Sequence, residues 1–290
     1  MLSGFTIVRN AVILDYPIVP AIRSILEVCD EVVVNVGKSD DATRDLVAAI
    51  ADPRVRILES TWDFSRGSEA LAVETNRAMA ACRGSWGLYI QADEVLHETG
   101  AAVLRDRVRD CDGDARVEGL VVDYLHFLGD FDTVATNRHW YRREVRVVRL
   151  GPGRDIRSFQ DAQGFRVGPE RRRVRARVTG ATMFHYGWAR PPESARRKFT
   201  AAEQIFGRAG GRLEPGQPVP QLEWTPLLRR FAGAHPRAAA QWIAARRDRS
   251  GRSAFAPRPV RLSDVRFYVS DWIERLTGVR PFEYRNYVLV

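Results

Sequence analysis

WGLYIQADEVLHE, from Trp86 to Glu98, changes character at its middle. Trp86 to Ile90 is continuously apolar, and Asp93 and Glu94 close the run with two carboxyl groups. An apolar stretch with no polar alternation reads as a short strand covered on both faces. In an open α/β sheet the carboxyl ends of such strands form the rim at which ligands bind. A carboxylate delivered there can hold a hard divalent cation against a phosphorylated ligand. The same acidic pair is also compatible with a solvated loop, so the surrounding chain has to decide.

Upstream of this segment, strand and helix patterns alternate. FTIVR (Phe5 to Arg9) and EVVVNV (Glu31 to Val36) read as apolar strands, as does VRILE (Val55 to Glu59). Between them Pro17 to Val28 places Ile18, Ala21, Ile22, Ile25 and Leu26 at helical spacing, and Thr43 to Ile50 forms a shorter helix. Ser65 to Arg83 carries Leu71, Thr75, Ala78, Met79 and Cys82 on one face and is a third helix. Such alternation implies right-handed crossovers and parallel strands. Downstream, a helix near Thr99 to Arg109 leads into strand-rich sequence: Gly119 to Asp132, Val145 to Leu150 and RRRVRARV (Arg171 to Val178). This half is expected to extend the sheet with antiparallel or irregular elements. Helices are predicted over Pro191 to Phe206, Pro236 to Arg247 and Ser263 to Leu276. A linker or extended wrap is predicted over Gly210 to Pro226, which holds four prolines and three glycines.

Composition narrows the class. A chain of 290 residues with 45% hydrophobic and 10% aromatic content is globular rather than disordered. No apolar run approaches the roughly 18 residues of a membrane span, and no signal-peptide pattern opens the chain. Cys29, Cys82 and Cys111 share no metal-type spacing, so a reduced, cytoplasmic protein is expected. The net charge of +9 comes from 45 basic residues, of which only Lys38 and Lys198 are lysines. That bias fits a GC-rich coding sequence as well as a binding surface. In RRRVRARV, Val174, Ala176 and Val178 alternate with Arg173, Arg175 and Arg177, the pattern of a half-buried strand with a solvated face. No nucleic-acid motif accompanies the charge, so no nucleic-acid partner is expected. Basic patches near Arg171 and Arg246 are the places for a peripheral contact with the inner face of an anionic membrane.

Polar residues gather at three predicted strand ends: Arg9 and Asn10, Lys38 to Thr43, and Asp93 with Glu94. In this order and spacing the chain resembles the family 2 glycosyltransferases. The family opening "IVRNE" is similar to TIVRNAV (Thr6 to Val12), and its "DxGSxDxT" loop to NVGKSDDAT (Asn35 to Thr43). A helix asparagine before a Gly-Trp pair corresponds to Asn76 ahead of RGSW, and the metal signature "LDADE" to IQADE (Ile90 to Glu94). The likeness covers residues 5 to 98 and continues more weakly to about 205, where FHYGW (Phe184 to Trp188) resembles the family's late histidine motif. Two positions depart from the pattern. Gln91 stands at the first acidic position of the metal motif, and Asn35-Val36-Gly37 replaces the aspartate that often follows the second strand.

The resemblance implies an α/β fold of GT-A (Rossmann-like) type: a mixed, mainly parallel sheet flanked by helices, with a C-terminal helical extension. Residues 1–205 would form the nucleotide-sugar-binding and catalytic domain. Residues 206–290 would add a Pro-rich linker and helices packed on it or on a second subunit, as in a homodimer. The implied activity is transfer of a sugar from a nucleotide diphosphate-sugar to a glycan or lipid-linked acceptor, with inversion, in cell-surface glycan or lipopolysaccharide-type assembly. Asp93, with His185, would bind a divalent cation (Mg²⁺ or Mn²⁺). Arg9, Asn10, Lys38, Asp41, Asn76, Gln91 and His126 would contact substrates. Asp161 would be the general base, ahead of Asp130, Asp132 and Glu94. QDAQG is also a turn in which Asp161 bonds its own backbone. The alternative from a different class is a non-catalytic GT-A-like module that binds a nucleotide-sugar or glycan.

Overall fold

The computed structural model describes residues 1–206, 222–225, 227–247, 255–257 and 260–290. Strand and helix alternate as β1 (Leu2–Val8), α1 (Ile18–Leu26), β2 (Glu31–Gly37), α2 (Thr43–Ala48), β3 (Val55–Ser60), α3 (Glu69–Ala80) and β4 (Trp86–Tyr89). β1 lies between β2 and β4 and pairs in parallel with both, and β3 continues the parallel array beyond β2. Every residue of β1 and β2 is buried, as continuous apolar runs require when helices cover both faces. The two-residue period divides their side chains between two cores. Val32, Val34 and Val36 pack with Ile18, Ile22 and Ile25 of α1 on one face. Phe5, Ile7 and Val33 pack with Tyr89, Val121 and Phe165 on the other. Each fully buried aliphatic side chain is worth about 1.5–3 kcal/mol, so a one-residue slip of β2 would be very costly.

The second half follows as β5 (Glu94–Leu96), α4 (Glu98–Asp112), β6 (Gly119–Leu128), β7 (Thr133–Ala135), β8 (Arg143–Arg149), β9 (Ile156–Phe159), β10 (Gly164–Val167) and β11 (Arg172–Trp188). The main sheet runs β3-β2-β1-β4-β8-β6-β11-β10-β9. β8 is antiparallel to β4 and β6, β6 and β11 are parallel, and β9 and β10 add an antiparallel edge. The molecule is thus a mixed α/β sheet flanked by helices, parallel where the sequence alternates and mixed where strands dominate, consistent with a Rossmann-like GT-A fold. The arginine-faced segment opens the long β11, with Val174 and Ala176 fully buried. Much of its charge is neutralised internally: Arg172 and Arg175 bind Glu118, and Arg177 binds Asp114. Arg246, in the other predicted basic patch, binds Asp15.

The chain continues as α5 (Pro192–Phe206), β12 (Leu222–Trp224), β13 (Leu228–Arg230), α6 (Ala240–Arg247), β14 (Phe255–Pro257), α7 (Val265–Thr277) and β15 (Tyr287–Leu289). The three predicted C-terminal helices are present, α6 being preceded by a 3₁₀ turn at Arg237–Ala239. Most of the predicted linker, Gly210 to Pro226, lies outside the described residues. β13 pairs with β7 and β15 with β11, so C-terminal segments join the main sheet. Trp242 packs on Phe131 and Tyr186, whereas Trp272 of α7 is exposed. Among the described residues no helix is long and apolar enough to cross a membrane.

Candidate functional site

The two carboxyls of IQADE have different fates, because a tight turn separates β4 from β5. β5 is antiparallel to β11 and sets Glu94 opposite His185, while the Tyr186 N–H donates to the Asp93 carbonyl at 2.8 Å. Glu94 therefore points into the core. Its carboxylate accepts from Arg146 Nη2 at 2.9 Å, from the Tyr124 hydroxyl at 2.8 Å and from the Gln91 N–H at 2.9 Å. Both members of the Arg146–Glu94 pair have 0% side-chain exposure. Such a carboxylate is not accessible to a cation or an acceptor, which removes Glu94 as a second metal ligand and as a base.

Asp93 points the other way, to the carboxyl rim. His185 Nε2 lies 3.6 Å from its Oδ2, and Lys198 Nζ donates to the same oxygen at 3.0 Å. Burial pushes the Asp93 carboxyl up, but Lys198, His185 and Arg190 more than offset this and hold it well below the usual carboxylate range. Burial lowers Lys198 to about 8 against the upward pull of Asp93. The pair is therefore charged at neutral pH. Lys198 also donates to the Gly187 carbonyl at 2.9 Å and lies over the rings of Trp188 and Tyr16.

Behind this pair stands a histidine relay. His126 Nδ1 and His185 Nδ1 are 3.0 Å apart, and His126 Nε2 is 2.6 Å from the Tyr141 carbonyl. A carbonyl only accepts, so His126 Nε2 carries the proton and its Nδ1 accepts from His185 Nδ1–H. Burial first, then His185, lowers His126 to about 3, which keeps it neutral and fixes this tautomer. The Nε2 atom of His185 is consequently the one presented to Asp93. His126, expected to contact substrate, is 1% exposed and orients His185 instead.

The space around these groups admits no side chain at residue 187. A Cβ on Gly187 would lie 2.5 Å from His185 Nε2 and 2.7 Å from Asp93 Oδ2. Gly187→Ala is therefore expected to push the two functional groups apart, disabling the site while costing about 1–3 kcal/mol of stability. Activity measured beside thermal unfolding checks this; an alanine variant with normal activity would refute the steric assignment.

The first two loops meet at the same rim. Arg9 Nε donates to the Lys38 carbonyl at 2.8 Å and Arg9 Nη2 to Asp40 at 3.0 Å, while Asn10 exchanges side-chain and backbone hydrogen bonds with Asp40. Asp41 accepts from the Ile13 N–H at 2.8 Å and binds the Thr43 hydroxyl. Asp41 thus shapes the loop, in which Lys38 is exposed. Arg190 joins this loop region to Asp93: it donates to the Leu14 and Gly187 carbonyls at 2.6 and 2.9 Å and covers the Tyr16 ring.

Other expected site residues are placed differently. Asn76 holds α3 to β9, donating to the Ser158 carbonyl at 3.1 Å and accepting its N–H at 2.8 Å. Both ends of its amide are engaged, so it serves as a brace between elements. Gln91 is half-buried at the end of β4. Asp161 accepts from the Gln163 N–H at 3.3 Å, as the turn reading has it. It also lines a cavity of about 250 Å³ with Tyr141, Glu144, Gln163 and Asn286. Glu144, pushed up to about 7 chiefly by burial, accepts from Asn286 there. Through Tyr141 this cavity adjoins the histidine relay. Of the other base candidates, Asp130 pairs with Arg230 and Asp132 with Arg247.

The two side chains expected to bind a cation, Asp93 and His185, stand side by side. No group of three or more His, Cys, Asp or Glu converges among the described residues. The Asp93 oxygen nearest His185 already bonds an ammonium. Lys198, Arg190, Tyr16, Tyr141 and Gly187 were not singled out from the sequence. A signal for Lys198 was present: it is one of only two lysines among 45 basic residues, and both belong to the rim.

No protein-family model and no curated protein matches the chain. Among solved structures it is similar to S. aureus TarS 1–349 in complex with UDP, with 19% identity and a TM-score of 0.35 over 43% of this chain and 36% of that one. The complex of S. aureus TarS 1–349 with UDP-GlcNAc gives 18% identity and 0.35 over 43% and 35%. S. aureus TarS gives 13% identity and 0.41 over 69% of this chain and 38% of that one. The chain spans well under half the length of each. Likeness this distant assigns no residue a role.

Proposed function

We propose that the protein is a glycosyltransferase that uses a nucleotide diphosphate-sugar. One observation carries the proposal: an Asp93–Lys198–His185 cluster, with Asp93 and His185 buried and Lys198 half-buried, stands at the carboxyl rim of a parallel β-array, beside loops rich in polar groups. That is the place where such sheets bind nucleotides. Charge of both signs suits a reaction in which a diphosphate departs.

In this reaction the acceptor oxygen attacks the anomeric carbon as its proton passes to a base. The bond from that carbon to the phosphate oxygen breaks, and its electron pair leaves with the diphosphate. Asp161 is our choice of base, since it lines the cavity next to the histidine relay and is half-buried. Attack opposite the leaving group inverts the anomeric centre. Arg9, Asn10 and Lys38 are assigned to the nucleotide side of the rim. A glycan or lipid-linked acceptor would enter from the Asp161 side.

Thermal unfolding of the full chain against a panel of nucleoside diphosphates and their sugars tests this reading. A ligand at 100 times its Kd adds about 2.7 kcal/mol and raises Tm by several degrees. Stabilisation with donor turnover is the expected result; stabilisation without turnover would indicate the non-catalytic module. No stabilisation by any nucleoside diphosphate would refute the proposal.

A further inference from the structure

We infer that Lys198 is the resident cation of this site, filling the position that a divalent metal would take against a departing diphosphate. The inference rests on the diphosphate reading above. An ammonium has three donors. Lys198 gives one to Asp93 Oδ2 at 3.0 Å and one to the Gly187 carbonyl at 2.9 Å. The third meets no acceptor among the described residues, and it is the one left for a ligand oxygen. The Trp188 and Tyr16 rings, 5.1 and 5.6 Å from Nζ, form walls that favour a cation. Arg190 lies against the same Tyr16 ring and bonds the same Gly187 carbonyl, setting a second fixed positive charge at the site.

This arrangement explains one feature of the sequence. A protein that is otherwise arginine-rich keeps a lysine here, a compact point charge shared between Asp93 and the Gly187 carbonyl. As the sugar–oxygen bond breaks, the charge developing on the diphosphate oxygen meets the free N–H of Lys198. The lysine itself stays protonated and unchanged, so it stabilises charge without transferring a group.

Calorimetric titration of the full chain with inorganic pyrophosphate, in EDTA and then in Mn²⁺, tests the assignment. The wild-type protein is expected to bind pyrophosphate in EDTA. Lys198→Met should lose on the order of 10- to 100-fold in affinity, the worth of one charge-assisted hydrogen bond, and Lys198→Arg should lose less while retaining the wild-type Tm more closely. Binding by wild type only when Mn²⁺ is supplied, no pyrophosphate binding in either buffer, or undiminished binding by Lys198→Met would each overturn it. A parallel titration with nucleoside diphosphates separates this from the functional proposal. Pyrophosphate binding in EDTA with no gain from a nucleoside would uphold the lysine and remove the transferase. Nucleoside diphosphate binding that requires Mn²⁺ would do the reverse.

Discussion

Arg146→Met is expected to destabilise the fold by about 3–5 kcal/mol, the cost of stranding one member of a buried ion pair. Arg146 and Glu94 have no side-chain exposure, and Glu94 also holds Tyr124 and the Gln91 N–H. Methionine replaces the length of the arginine but none of its donors, so the Glu94 carboxylate would lose its counter-charge in the core. The guanidinium also donates to the Gln163 carbonyl at 2.8 Å and lies between the rings of Tyr89 and Tyr124. The Gln163 contact ties β8 to the turn that carries Asp161. Urea unfolding measures the loss. Combining Arg146→Met with Glu94→Gln should cost less than the sum of the two, because the stranded charge is gone. A loss below about 1 kcal/mol for Arg146→Met would contradict a structural role for the pair.

Asp93→Asn is expected to lower sugar transfer by about 10²–10³-fold, equivalent to roughly 2.7–4 kcal/mol of transition-state stabilisation. The substitution preserves volume but removes the charge that positions the Lys198 ammonium and faces His185 Nε2. The damage should appear mainly in kcat, since the nucleotide side of the rim is untouched. Turnover of the most stabilising donor, measured beside Tm, distinguishes this from unfolding. Wild-type turnover by a folded Asp93→Asn protein would remove Asp93 from the mechanism.

Arg146 and Asp93 show unequal legibility in sequence. Arg146 sits in HWYRREVRVVR among other arginines, and nothing local marks it as the buried one. Arg142 and Arg143, just ahead of it, bind the partly exposed Glu274 and Asp123 and also the more buried Glu283. Strand periodicity tells which residues share a face, but not which face lies against a buried carboxylate from another strand. The same limit applies to Asn76. Its place on a helix was readable, whereas its two hydrogen bonds to Ser158 depend on how α3 packs on β9.

Local apolar pattern by itself determined the β1–α1–β2–α2–β3–α3–β4 series and hence the rim to which Asp93 is delivered. That is so because continuous apolar strands and amphipathic helices can satisfy their burial in few ways. It also determined that a mixed, strand-rich half would follow. Only the tertiary structure separated the two carboxyls of IQADE, sending Glu94 to Arg146 and Asp93 to Lys198. The division arises from pairing between the three-residue β5 and β11, which puts Glu94 opposite His185, and from α5 returning Lys198 to a residue 105 positions earlier in the chain. Contacts of that kind are fixed by strand register and helix docking across the whole fold, and no local period in the sequence encodes them.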